Sequence, residues 1–324
     1  MPIAFFPQRE LHLPILIPLY ESLTEAGHSC FIVLKPLQPE YNNVPAEGIH
    51  AETQSLLEAQ FNCLQFALNL KFDLTFTADF VLDYTEDWGK QCCVGHGTIS
   101  KNTYFIEDEI AWRENFHEYL VLPGPAYKAS FRNKLFNEVL TFGFPKLDYL
   151  NSILNQKTEL KTTFRNQYRI SDQRKILLFA PTYNDEFESY SVLYSFWDEV
   201  IENGYFIIFK LHGATKKKWL HHYEVLAQNK DHCLNWTSQD IAKPMVISDI
   251  MVSDLSSVCL EYYLTQQPLF VYNNPKQTTS KFYNAKGVEF KYRDGAYPFD
   301  SALQLMKQLN SQGEEDPKAI LRFK

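Results

Sequence analysis

Positions 248–264 read SDIMVSDLSSVCLEYYL. An apolar run, Ile250 to Val252, feeds into Asp254-Leu255-Ser256-Ser257, and a helical pattern opens at Val258. That order predicts a buried strand, a short loop and a helix whose first turn carries two hydroxyls, the unit from which parallel α/β sheets are built. Free N–H groups and the positive dipole end of such a terminus favour an anion, and Ser256 and Ser257 add hydroxyl donors there. Taken alone, the residues allow two readings: a phosphate cradle, or a serine that caps its helix.

The same cycle runs back to Lys175. Strands are predicted at Ile176–Phe179, Phe206–Lys210, Cys233–Trp236, Val246–Val252 and Leu269–Tyr272, and helices at Val192–Asn203, Lys216–Asn229 and Val258–Gln266. The other half opens as β-α-β, with Ile3–Phe6, a helix over Pro14–Ala26 stopped by Gly27, and Cys30–Leu34. A long helix over Ala51–Leu70 follows, then strands at Leu74–Thr77, Cys92–Val94, Tyr119–Leu122 and Val139–Phe142, with a helix at Ala126–Glu138. The polar stretch Asn151–Arg174 interrupts the pattern and marks a domain boundary. Residues 1–150 and 151–324 are therefore expected to form two Rossmann-like domains facing a cleft, with ligands outside the carboxyl ends of the strands. Ser301–Lys324 reads as a helix and a charged tail.

The 324 residues are 45% hydrophobic and 22% charged, enough for two packed cores. A net charge of −8 excludes a broad basic face, so no nucleic-acid partner is expected and any anion must be held locally. The one compact basic run, Lys216-Lys217-Lys218, fits a solvated first helical turn better than a membrane contact. Six cysteines without CxxC spacing point to buried free thiols in a reducing compartment. With no signal-peptide pattern and no long apolar run, the expected location is cytoplasmic.

Four more strand ends carry polar groups. In QCCVGHGTISK (91–101), Gly95 and Gly97 flank His96, leaving the imidazole uncrowded where a substrate hydroxyl could reach it. A structural histidine in a glycine turn fits the same residues. Ala180-Pro181-Thr182 closes one strand and Lys210-Leu211-His212-Gly213 the next, with Lys210 and His212 on one face. Gly143-Phe144-Pro145-Lys146-Leu147-Asp148 closes the last strand of the first half.

In this order and spacing the motifs closely resemble those of the CDP-glycerol glycerophosphotransferase family, the teichoic-acid primases and polymerases. His96-Gly97-Thr98 with Lys101 resembles its HGT-x-x-K motif, Gly143 to Asp148 its G-Y-P-R-x-D, and Ala180-Pro181-Thr182-Tyr183 its A-P-T-W. Lys210-Leu211-His212 resembles K/R-L-H-P, and Asp254-Leu255-Ser256-Ser257-Val258 resembles D-Y-S-S-V. The resemblance covers roughly positions 90 to 275. Gly213, Asn184, Ile99-Ser100 and Leu255 depart from the usual residues, which bears on acceptor and donor more than on fold. Relative to the larger polymerases the chain looks like a bare catalytic core.

The resemblance implies a GT-B fold and a CDP-polyol donor, most simply CDP-glycerol. An acceptor hydroxyl on a cell-surface glycan or lipid-linked carrier attacks the polyol-side phosphorus, and CMP leaves. His96 is then the base and His212 the second catalytic group. Thr182, Lys210, His212, Asp254, Ser256 and Ser257 form the donor side in residues 151–324, and Gly95, Gly97, Thr98 and Lys101 the acceptor side in residues 1–150. No D-x-D triplet occurs, so no metal and no cofactor are expected. Reaching a lipid-linked acceptor calls for a small amphipathic patch, giving a peripheral contact at the inner face of the membrane, or for a partner. Two other readings share the fold: a nucleotide-sugar glycosyltransferase or epimerase, and a non-catalytic nucleotide- or glycan-binding relative.

Overall fold

The computed structural model describes residues 1–38, 47–79, 86–97, 117–125, 127, 138–238, 240–280, 290, 292–311 and 318. The chain divides into two compact units, with a boundary between Tyr149 and Leu150.

The first unit holds a seven-stranded parallel sheet. Its strands are β1 (Pro2–Phe6), β2 (Ser29–Leu34), β3 (Cys63–Gln65), β4 (Leu74–Thr77), β5 (Lys90–Cys93), β6 (Tyr119–Val121) and β7 (Glu138–Leu140), in the order β3-β2-β1-β4-β5-β6-β7. Strands buried on both faces read as continuous apolar runs, and β1 shows why. Ile3 and Phe5 point to one face, where Phe5 stacks on Phe76 at 5.2 Å and meets Tyr20 edge-on at 5.5 Å. Ala4 and Phe6 point to the other, where Phe6 meets Trp88 edge-on at 5.2 Å. Each such buried side chain contributes roughly 1.5–3 kcal/mol. The chain builds outward from β1 to β3 and restarts at β4 on the opposite flank, so the topological switch lies between β1 and β4.

The second unit repeats the plan with β8 (Lys175–Phe179), β9 (Tyr205–Phe209), β10 (Cys233–Asn235), β11 (Ile250–Ser253), β12 (Leu269–Tyr272) and β13 (Tyr297–Phe299), ordered β10-β9-β8-β11-β12-β13. Its switch lies between β8 and β11. The core over β8 and β9 is aromatic: Phe179, Trp197, Phe209 and Tyr223 pack together. Trp197 Nε1–H donates to the Tyr223 hydroxyl at 3.0 Å, which donates to the Tyr190 carbonyl at 2.8 Å, so the polar atoms of these rings are satisfied inside the core.

Several expected elements are redrawn. The helix from Ala51 stops at Glu58, and the chain turns into β3, whose pairing with β2 and the Asn62 N–H bond to the Tyr20 hydroxyl at 3.0 Å outweigh local helical preference. The stretch 151–174 contains the end of the helix Lys146–Leu154 and all of Lys157–Tyr168. Lys161 on the latter pairs with Asp249, whose other oxygen accepts the Ile176 N–H, tying the helix to the sheet. Val246 and Ile247 end a short helix, Ala242–Ile247, and the strand begins only at Ile250. The helices expected from Val192 and from Val258 are each part 3-10. The helix expected at Ala126–Glu138 falls largely outside the described residues, and Glu138 opens β7.

All six cysteines are free. Burial pushes the Cys92 thiol up to about 12 and those of Cys63 and Cys233 to about 11, so these three are not ready nucleophiles. No helix among the described residues is long and apolar enough to cross a membrane.

Candidate active site

In the second unit, β9, β8 and β11 are neighbours, so the loops at their carboxyl ends are brought together although 180, 210 and 254 are far apart in sequence. The loops are stitched by backbone: Lys210 N–H donates to the Phe179 carbonyl at 2.9 Å and Ala180 N–H to the Val252 carbonyl at 3.0 Å. Asp254 is fully buried. Its carboxylate accepts the N–H of Thr182 at 2.8 Å and the N–H and hydroxyl of Ser189 at 2.9 and 2.8 Å. Both oxygens of Asp254, expected on the donor side, are thus engaged by the loop after β8 and hold it in place. Thr182 is itself buried, so its side chain lies under the loop surface.

Ser256 and Ser257 are half-buried ahead of the helix Val258–Tyr262. Ser257 occupies the N-cap position without a side-chain capping bond, which removes the simple capping account of this serine. The helix has five residues, so local N–H and hydroxyl donors, more than an extended dipole, would hold an anion here. His212 is exposed on the neighbouring loop, its ring 4.7 Å from that of Tyr183. Its Nδ1 accepts the Ala214 N–H at 3.0 Å, so in the neutral ring Nε2 carries the proton and is a donor.

In the first unit His96 follows β5 in a turn where Gly95 has φ +68°, a left-handed conformation that suits glycine. His96 Nδ1 lies 3.1 Å from the Ala78 carbonyl. A carbonyl can only accept, so Nδ1 carries the proton and Nε2 keeps its lone pair. Thr98 and Lys101 lie outside the described residues. In the Gly143 to Asp148 segment, Gly143 has φ +100° and Phe144 is buried in the first unit's core.

Two residues at this site escaped the sequence reading. The His12 ring is fully buried and stacks on His96 with centroids 5.5 Å apart. Asp79 follows β4, with Oδ2 3.8 Å from His96 Nδ1. Burial, then the positive potential of His96 and Arg9, holds His12 well below the usual imidazole range, so it is neutral. One donor atom from each of His12, Asp79 and His96 lies within 4.8 Å of the others. Zinc binds such donors at about 2.0–2.2 Å, so these side chains would have to close in to hold an ion.

Comparison with known proteins decides the family. The profile of the family described as CDP-Glycerol:Poly(glycerophosphate) glycerophosphotransferase matches residues 96–323. The chain belongs to this family. The match begins at His96 and takes in the loops after β8, β9 and β11. A teichoic acid glycerol-phosphate transferase of Staphylococcus aureus is 24% identical over 185 residues, which are 54% of this chain and 46% of that protein. The chain thus spans less than half the length of that relative. The solved structure of the wall teichoic acid polymerase TagF superposes with a TM-score of 0.67 at 16% identity, covering 99% of this chain and 83% of the other. UDP-GlcNAc 2-epimerase from Neisseria meningitidis superposes at 0.60 and 13% identity, covering 96% and 90%. The family's two parallel-sheet α/β domains are of GT-B type.

Proposed function

We propose that the chain transfers a polyol phosphate, most simply glycerol phosphate, from a CDP-polyol to a hydroxyl of a cell-surface glycan or lipid-linked acceptor. The acceptor oxygen bonds to the polyol-side phosphorus, the bond from that phosphorus to the bridging oxygen breaks, and CMP departs with the electron pair. His96 takes the hydroxyl proton on Nε2. His212, Ser256 and Ser257 hold the pyrophosphate, with Lys210 beside them, while Asp254 and Thr182 fix the loop that presents them. Residues 1–150 serve the acceptor and residues 151–324 the donor. The work is done in the cytoplasm, with a peripheral contact at the inner membrane face giving access to a lipid-linked acceptor.

The observation that carries this reading is the opposite hydrogen bonding of the two histidines. Nδ1 faces a carbonyl at His96 and a backbone N–H at His212, leaving an acceptor nitrogen at one ring and a donor at the other. A base needs the first and a phosphate contact the second. Phosphoryl transfer needs little covalent chemistry beyond such positioning and charge stabilisation.

The test is a thermal-shift panel of CDP-glycerol, CDP-ribitol, CMP, UDP-sugars and GDP-sugars. A ligand at about 100 times its Kd adds about 2.7 kcal/mol to stability. Stabilisation by the cytidine compounds with CMP release on adding an acceptor is expected. Selective stabilisation by UDP-GlcNAc would replace this reading with the epimerase one.

A further inference from the structure

The carboxyl ends of β1, β4 and β5 meet at the topological switch of the first unit, and each delivers one polar side chain: His12, Asp79 and His96. Burial grades across the three. His12 is 0% exposed, while the side chains of Asp79 and His96 are 34% and 46% exposed. Both ring nitrogens of His12 are buried without a hydrogen-bond partner among the described residues. Phenylalanine would fill that space without stranding two polar atoms, so packing alone does not account for an imidazole. Asp79 and the Ala78 carbonyl both lie on the Nδ1 side of His96, the side away from the nitrogen assigned to the acceptor.

We propose that Asp79 and His12 are positioning residues for His96, the carboxylate stabilising the ring from behind Nδ1 as Nε2 takes the acceptor proton, and the stacked imidazole of His12 supporting its face. This rests on the base role of His96 proposed above. The described groups that bear on His96 and its stacked partner are His12 and Arg9 from the segment after β1, and Asp79 from the loop after β4. A proton arriving at Nε2 makes the ring cationic with its Nδ1–H directed at Ala78 O. Asp79 then supplies the compensating negative charge, and its 3.8 Å separation can tighten, as catalytic hydrogen bonds do on complex formation. His12 is buried and neutral, so it adds no competing positive charge against the face of His96.

The experiment has a structural and a kinetic arm on the full chain. In ¹⁵N-histidine NMR, with His96→Ala for assignment, the His96 ring is expected as the Nδ1–H tautomer. An Nε2–H tautomer would overturn the arrangement, and this arm needs no turnover, so it stands apart from the phosphotransfer reading. In kinetics, Asp79→Asn should lower kcat at least about tenfold with CDP-glycerol affinity by calorimetry unchanged, and Asp79→Glu should recover part of the loss. The drop should stay below the roughly 10⁴-fold of an Asp→Asn change in a Ser-His-Asp triad, because Ala78 O keeps the tautomer. His12→Phe should melt higher than wild type yet turn over more slowly. Wild-type kcat in Asp79→Asn, or in His12→Phe, would overturn the role of that residue. Loss of turnover on chelation, restored by zinc, would replace positioning with metal ligation.

Discussion

Asp254 and Thr182, 72 positions apart, are joined by a 2.8 Å hydrogen bond from the Thr182 N–H to the buried carboxylate. The other oxygen of Asp254 is occupied by Ser189. Asp254→Ala would strand two buried N–H groups and a hydroxyl, each costing about 1–3 kcal/mol. Denaturant unfolding should show a loss of roughly 3 kcal/mol or more. Nucleotide binding should weaken too, since the loop after β8 loses its anchor; a variant of wild-type stability would contradict the anchoring role.

Replacing the two histidines should produce losses of different kinds. His96→Ala is expected to keep CDP-glycerol affinity and cut turnover by roughly two to four orders of magnitude, the usual span for a general base. His212→Ala should weaken donor binding as well, because a phosphate contact exists in the ground state. Calorimetry beside a CMP-release assay separates them, and equal loss of donor affinity in both would move His96 into the nucleotide site.

Ser256→Ala with Ser257→Ala removes two hydroxyl donors and leaves the backbone N–H groups. CMP affinity should fall without vanishing. Unchanged affinity by calorimetry would put the phosphates elsewhere.

Stability should fall on both sides of neutrality. His12 resists protonation when folded, so its contribution is present above the unfolded imidazole value and fades as pH falls below about 6.5. Cys92, raised to about 12, and Cys63 and Cys233, raised to about 11, keep their protons when folded. Their contribution is complete below about pH 8.5 and is lost as pH climbs through those raised values. Urea titrations across pH should show both limbs, and His12→Phe should flatten the acid one.

Much of the fold was legible because its signals are local. The apolar runs of β8, β9, β11 and β12 are interrupted by proline, glycine or aspartate, and a parallel α/β reading follows from their alternation with helices. The motif residues His96, His212, Ser256 and Ser257 were legible for the same reason: strand ends announce themselves, and polar residues there draw the eye. Where the reading went astray, a distant partner decided the outcome. Residues 59–65 are a plausible continuation of a helix until Tyr20 and β2 are placed beside them.

The composition and order of residues therefore determined the class of fold, the strand-end loops that hold the polar motifs and the family they resemble. Tertiary structure alone decided what each polar group does in its loop. Asp254, expected on the donor side, anchors the loop after β8, because three donors from 182 and 189 converge on it. His12 and Asp79 belong to no local motif, and only the pairing of β1 with β4 and of β4 with β5 sets them against His96. Hydrogen-bond partners and burial arise from pairing between segments far apart in the chain, so a side chain's tautomer and charge are properties of the assembled sheet.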